Sequence, residues 1–299
     1  MKKIAVVGCD DINMSYAFSL VNSDIFIDEI VLIDIDSKIS LSKAIDLSHS
    51  SLYSNKNIKI KAGSYMDCKD AQIVVLGSLL NIKENTDDMK LIKKNIVVLK
   101  NVVTKIEKSG FKGIFLVSIF PVDIMTYFCK KYSNFSSKKV IGIGTMIDTA
   151  RCKYLLKEKL NVNVNDIQLY IVGPHNDYVV LWGSSKIGAL DLNDLLVDSD
   201  LKQNEKRVKN IPNKIDNLNG NIIYTISSCL IKLTKAIIND EKCILPVSAP
   251  YNGVYISMPT VIDKQGIKGV MKIKLTAQEA QKLENSIFKL KDTIKDLEV

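Results

Sequence analysis

Arginine is rare in this chain. Of 41 basic residues only Arg151 and Arg207 are not lysine. Each therefore marks a place where a planar guanidinium, able to hold a carboxylate by two parallel hydrogen bonds, replaces the habitual ammonium point charge. Arg151 follows Asp148 by three residues in a stretch with helical periodicity. Residues at i and i+3 share one helix face, so both can point into a cleft, although a surface ion pair fits the same spacing. One of the two histidines, His175, lies further on in the run Gly173-Pro174-His175-Asn176-Asp177. Its near-neutral intrinsic pKa suits proton transfer at ordinary pH, and an inert loop histidine fits the bare residues as well.

A second candidate lies near the N-terminus, in VVGCDDINMSYAF (6 to 18). An apolar run ends at Gly8, where a phosphate-binding loop would begin, yet Cys9-Asp10-Asp11-Ile12-Asn13 follow. Strand, tight loop, helix and then Asp34 at the end of a second strand is the arrangement of a Rossmann nucleotide site, in which the acid accepts hydrogen bonds from the adenosine ribose. A carboxylate at a strand end also serves as a helix N-cap. Glycine at the second and third positions of such a loop lets phosphate oxygens meet main-chain N–H groups at the helix N-terminus. Here Asp10 and Asn13 hold those positions, so a side chain and a charge are expected where the anion would land. Asp10 can also cap the helix itself.

These residues need a scaffold, and the pattern supplies one. Short β-branched runs at 4–8, 29–34, 57–62, 71–77, 113–118 and 139–144 read as buried parallel strands. Segments 14–22, 38–49, 87–109 and 122–132 carry apolar residues at three- and four-residue spacing, which predicts crossover helices of a doubly wound α/β sheet. Beyond 144 a helix at 147–160, a strand at 167–173, a polar Lys/Asn-rich stretch at 199–221 and a helix at 222–238 precede three meander strands (243–249, 254–262, 270–275) and a helix from 277. The expected organisation is a Rossmann-like dinucleotide-binding domain over 1–143 and an α+β substrate domain over 144–299, packed around a cleft.

The 299 residues, 46% hydrophobic, are enough for a sizeable core. No apolar run approaches the roughly 18 to 20 residues that span a bilayer, and no signal peptide precedes the first strand, which predicts a cytoplasmic protein without membrane contact. The net charge of +8 comes from lysines spread along the chain without aromatic interleaving, which argues against a nucleic-acid partner. Six scattered cysteines with no C-x-x-C pair, and two histidines, predict free thiols and no metal site.

The segments EIVLID (29–34), KAIDLSHS (43–50), SGFKGIFLVSIFPVDIMTY (109–127), VIGIGTMIDTARCKYLL (140–156), IVGPHNDY (171–178) and ILPVSAPYNGVYISMPTVI (244–262) resemble, in order and over nearly the whole chain, the L-lactate/malate dehydrogenase family, in its lactate or 2-hydroxyacid branch. The resemblance implies NAD as cofactor, a small 2-oxo or 2-hydroxy acid as substrate, and a homo-oligomer, a dimer or tetramer. It implies that His175 exchanges the proton on the substrate oxygen, that Asp148 orients and charges His175, and that Arg151 clamps the substrate carboxylate. It further implies that Ile82 is the loop position sorting substrates, here toward a bulky aliphatic side chain, and that Ser228 stands for a hydroxyl beside the substrate. It implies a cis bond before Pro121.

Four family positions are altered. Asp10 and Asn13 replace the second and third loop glycines, Asp88 stands where an arginine polarises the substrate carbonyl, and Phe120 replaces an asparagine of the substrate and nicotinamide region. An acid and a phenyl ring at those places oppose oxyanion stabilisation. The expectation is a homologue that keeps the clamp and proton dyad with impaired or no turnover; the alternative is an active NAD-dependent L-lactate or 2-hydroxyisocaproate-type dehydrogenase.

Overall fold

The computed structural model describes residues 2–77, 79 and 88–298. Six strands form the parallel part of one sheet, with helices in the crossovers. In chain order these are β1 (Lys3–Val7), α1 (Asp11–Asn22), β2 (Glu29–Ile33), α2 (Ser37–Ser50), β3 (Lys59–Ala62), β4 (Ile73–Leu76), α3 (Met89–Lys108), β5 (Ile114–Val117), α4 (Val122–Lys131) and β6 (Val140–Gly142). All but the edge strand β3, whose Lys59 and Lys61 alternate with Ile60 and Ala62 and which is only partly buried, are buried along their whole length and are mainly apolar because both of their faces are covered. In β1, Ile4 and Val6 pack with Tyr16, Leu20 and Leu47 of α1 and α2. The alternate residues Ala5 and Val7 pack with Ile96, Leu99 and Phe128 of α3 and α4, as the two-residue period of a strand requires.

The second half contributes α5 (Met146–Leu160), β7 (Ile167–Gln168), β8 (Ile171–Val172), β9 (Val179–Val180), β10 (Lys186–Ile187), β11 (Leu190–Asp191), α6 (Leu192–Leu195), α7 (Asp198–Asn217), α8 (Tyr224–Ile238), β12 (Cys243–Tyr251), β13 (Val254–Asp263), β14 (Gly266–Val270) and α9 (Ala277–Leu297). The main sheet has the order β14-β13-β12-β6-β5-β4-β1-β2-β3. The C-terminal meander thus extends the parallel sheet, with β12 antiparallel to β6 through Ser248 opposite Gly142. Between β1 and β4 the winding reverses, and the crevice at their carboxyl ends, beside Gly8 and Gly77, is where open α/β sheets take ligands.

Three expectations change. The polar stretch at 199–221 is mostly the long helix α7, whose Leu201, Asn204, Val208 and Pro212 form a narrow buried stripe diluted by charge. The strand at 167–173 is two short strands in different sheets. The last meander strand lies earlier than 270–275, because the turn closed by Asp263 Oδ1 on the Gln265 N–H returns the chain at once into β14. The Phe120–Pro121 bond is cis. Five cysteines are buried thiols and Cys243 is half-buried. Among the described residues no helix is long and apolar enough to cross a membrane.

Candidate active site

Asp148 lies in the first turn of α5, and Arg151 one turn later on the same face. Both are buried, at 2% and 7% exposure, so the surface ion-pair alternative does not describe them. Asp148 Oδ1 lies 3.4 Å from Arg151 Nη1, and Oδ2 lies 2.6 Å from Nδ1 of His175, itself 5% exposed. One carboxylate therefore joins the guanidinium to the imidazole. Because a carboxylate accepts, Nδ1 carries the proton in this contact, and Nε2 is the ring atom at which proton exchange would occur. The His175 loop, which follows β8, is braced by the pair of main-chain hydrogen bonds between Gly173 and Ser257. Phe120, buried beyond the end of β5, lies with its ring centre 5.4 Å from that of His175 at 47°.

At the other end of the crevice the chain leaves β1 through Gly8, whose φ of 89° is costly for other residues. Asp10 is the N-cap of α1, its Oδ1 accepting from the Asn13 N–H at 2.9 Å. Asn13 is 0% exposed, and its Nδ2 donates to Gly8 O at 2.8 Å and Val7 O at 3.1 Å. Its amide fills the space against Gly77, where an added Cβ would fall 1.9 Å from Asn13 Nδ2. Asp34 follows β2, with Oδ2 accepting from the Cys9 N–H at 2.7 Å and Oδ1 from the Asp36 N–H at 3.1 Å. Burial first, then the Asp34 and Asp10 carboxylates, push the Cys9 thiol up to about 12, with Lys43 acting against them.

Residues 2–142 match the family model of the lactate/malate dehydrogenase NAD binding domain, and residues 145–298 that of the lactate/malate dehydrogenase alpha/beta C-terminal domain. An L-lactate dehydrogenase of Borrelia turicatae is 37% identical over 99% of this chain and 98% of its own. That of Halalkalibacterium halodurans is 36% identical over 97% and 96%. The chain belongs to the lactate/malate dehydrogenase family. Among solved structures, a lactate dehydrogenase from a Medee basin deep-sea metagenome library superposes with a TM-score of 0.94 at 35% identity, covering 99% of this chain and 98% of its own. The minor L-lactate dehydrogenase of Enterococcus mundtii in its ligand-bound form gives 0.95 at 29% identity, covering 100% and 99%.

The cofactor of this family domain is NAD, and the residues present fit it unevenly. Asp34 is placed for a ribose, and its carboxylate retains acceptor capacity beyond the two N–H groups it meets. Asn13 is fully buried beneath the loop and does not line an open phosphate subsite. What changes at the pyrophosphate end is charge, since the Asp10 carboxylate sits on the helix N-terminus that would otherwise face the anion.

The other altered positions separate. Asp88 is exposed and caps α3, its Oδ1 accepting from the Lys90 and Leu91 N–H groups at 3.0 and 3.1 Å. Ser228 is exposed on α8 and donates to Tyr224 O at 2.8 Å, as a helix-surface serine does. Ile82 lies outside the described residues. Sequence reasoning passed over Asp123 as a site residue; it stands three residues after Phe120 and is buried, at 3% exposure, beside the main chain of His175. Its sequence signals were its place in the family-like run Pro121-Val122-Asp123 and an acid in the first turn of a helix. A cavity of about 680 Å³ lined by Lys69, Lys112, Lys138, Lys139 and Lys264 opens at the amino ends of β4 and β5, the edge of the sheet opposite the dyad.

Proposed function

We propose that this chain is an L-lactate/2-hydroxyacid dehydrogenase homologue that binds a small 2-oxo or 2-hydroxy acid and turns it over poorly or not at all. The observation that carries the binding half of the proposal is the single buried carboxylate of Asp148 joining Arg151 to His175. Burying three ionisable side chains together costs several kcal/mol of solvation unless they satisfy one another, as these do. Arg151 would hold the ligand carboxylate, and His175 would exchange a proton at Nε2 with the substrate oxygen. When bound, NAD supplies the hydride acceptor or donor.

Phe120 supports the impaired reading: it faces His175 with a ring that offers no hydrogen bond to a developing oxyanion. Asp88 supports it as well, since its carboxylate serves a helix terminus and supplies no positive charge. An active dehydrogenase is the second reading, favoured by the burial of Asn13, which keeps that side chain out of the way of a pyrophosphate.

Titrating NADH while following nicotinamide fluorescence, then adding pyruvate or 2-oxoisocaproate, separates the two. Weak or absent cofactor binding, or binding without oxidation, is the expected result; oxidation at ordinary enzyme rates overturns it. We place the domain boundary at 143/144 and the protein in the cytoplasm as a homo-oligomer. Exposed apolar side chains on and beside the first two helices, Phe18, Leu41, Ile45, Leu52 and Tyr53, support assembly, and light scattering tests it.

A further inference from the structure

His175 is held by two carboxylates, and only one of them touches its ring. The second is Asp123, in the first turn of α4. An acid at that position usually serves its own helix terminus. Here the partners are remote in sequence: Asp123 Oδ2 accepts from the main-chain N–H of His175 at 2.8 Å, and Oδ1 accepts from the Ser248 hydroxyl at 2.6 Å. Ser248 belongs to β12, opposite Gly142 of β6. The carboxylate therefore ties α4, the extended sheet and the histidine loop together at one point inside the core.

The loop needs such a tie. Pro174 has no N–H to give, and the main-chain pairing with Ser257 is made by Gly173, two residues before the histidine. The His175 N–H is consequently the main-chain donor nearest the ring, and Asp123 receives it. Fixing the main chain on one side while Asp148 fixes Nδ1 on the other determines the direction in which Nε2 points.

We propose that Asp123 is a positioning residue for His175, setting both the orientation and the charge of its imidazole through the main-chain N–H, with Ser248 holding Asp123 in turn. This rests on the reading of His175 as the proton carrier. The charged groups acting on Asp123 are His175 and Asp148, and burial pushes its own carboxyl up to about 6 against the Ser248 and His175 hydrogen bonds. Above that pH two anions flank one imidazole and favour its protonated form.

The test is the pH titration of the His175 ring by NMR. The chain has only two histidines, and a His49→Gln variant identifies the signal. Asp123→Asn is expected to lower the pKa of His175 by about 1 unit, the scale on which a neighbouring charge acts, and to weaken oxamate-induced thermal stabilisation at least threefold in apparent affinity. Ser248→Ala, one step further away, is expected to shift the titration in the same direction by less, and it remains informative if Asp123→Asn fails to fold. An unchanged His175 titration in a folded Asp123→Asn or Ser248→Ala protein overturns the proposal. If wild-type protein does not respond to oxamate at all, the ligand reading fails while the NMR titration still decides the role of Asp123.

Discussion

Removing one charge while keeping the helix cap is the cleanest perturbation of the cofactor loop. Asp10→Asn keeps an oxygen able to accept from the Asn13 N–H, now at 2.9 Å, and asparagine caps helices about as well as aspartate. Stability should move by less than about 0.5 kcal/mol. A full charge facing a phosphate oxygen at about 5 Å, in an effective dielectric near 20, costs on the order of 3 kcal/mol. Asp10 is half-buried, and solvent screening at such a site reduces the cost to roughly 1 to 2 kcal/mol, or about five- to thirtyfold in affinity. NADH fluorescence titrations at low and high salt should show the variant binding more tightly by that factor. The ratio should shrink at high salt, because screening weakens a repulsion present only in wild type. Equal dissociation constants at low salt, or a ratio indifferent to salt, would refute the idea that the Asp10 charge opposes the pyrophosphate.

Oxamate should raise the melting temperature of wild-type protein, and Arg151→Lys should abolish most of that rise in thermal denaturation, because an ammonium cannot reproduce the two-pronged contact. Asn13→Gly should destabilise the protein by about 2 kcal/mol in urea denaturation, since it removes the donor to Val7 O and Gly8 O and places glycine in the first turn of α1; a gain in stability would contradict the packing described for Asn13. Asp88→Ala should cost about 1 kcal/mol through loss of the α3 cap, read in the same assay. Asp123, raised to about 6 when folded, keeps a proton that the unfolded chain has released above about pH 4. Its contribution to stability is therefore present below the unfolded value and declines as pH rises toward 6. Denaturation of wild type and Asp123→Asn across pH 4 to 7 should show that decline in wild type alone.

Most of the parallel strands were legible because burial on both faces leaves a short, β-branched apolar run bounded by polar or turn residues. Residue 120 shows the limit of such reading. The run GIFLVS announces β5, but nothing in the letters says that the phenyl ring of Phe120 will come to rest 5.4 Å from a histidine 55 positions later. Helix α7 was obscured for a different reason: its buried stripe is one residue per turn among lysines and acids, below what a polar composition lets periodicity reveal. Asp148 and Arg151 were legible through local spacing together with the scarcity of arginine. Asp123 was not, because both of its partners are long-range and a first-turn acid ordinarily means a helix cap.

Two of the altered positions share a physical property. Asp10 and Asp88 each satisfy the N-terminal N–H groups of a helix, α1 and α3, that starts at the carboxyl edge of the sheet. Helix N-termini carry unsatisfied donors and about half a positive charge, which is why ligands and their charges are recruited to them. In this chain both termini are satisfied internally by carboxylates, and Asn13 adds a third internal contact by tying down the end of β1. Each substitution therefore contributes to folding stability at a place where a ligand-facing group would leave the terminus dependent on a ligand. The Asp148, Arg151 and His175 cluster did not follow that course. Its charges are buried and mutually compensated, and replacing any one of them would leave the others without compensation in the core.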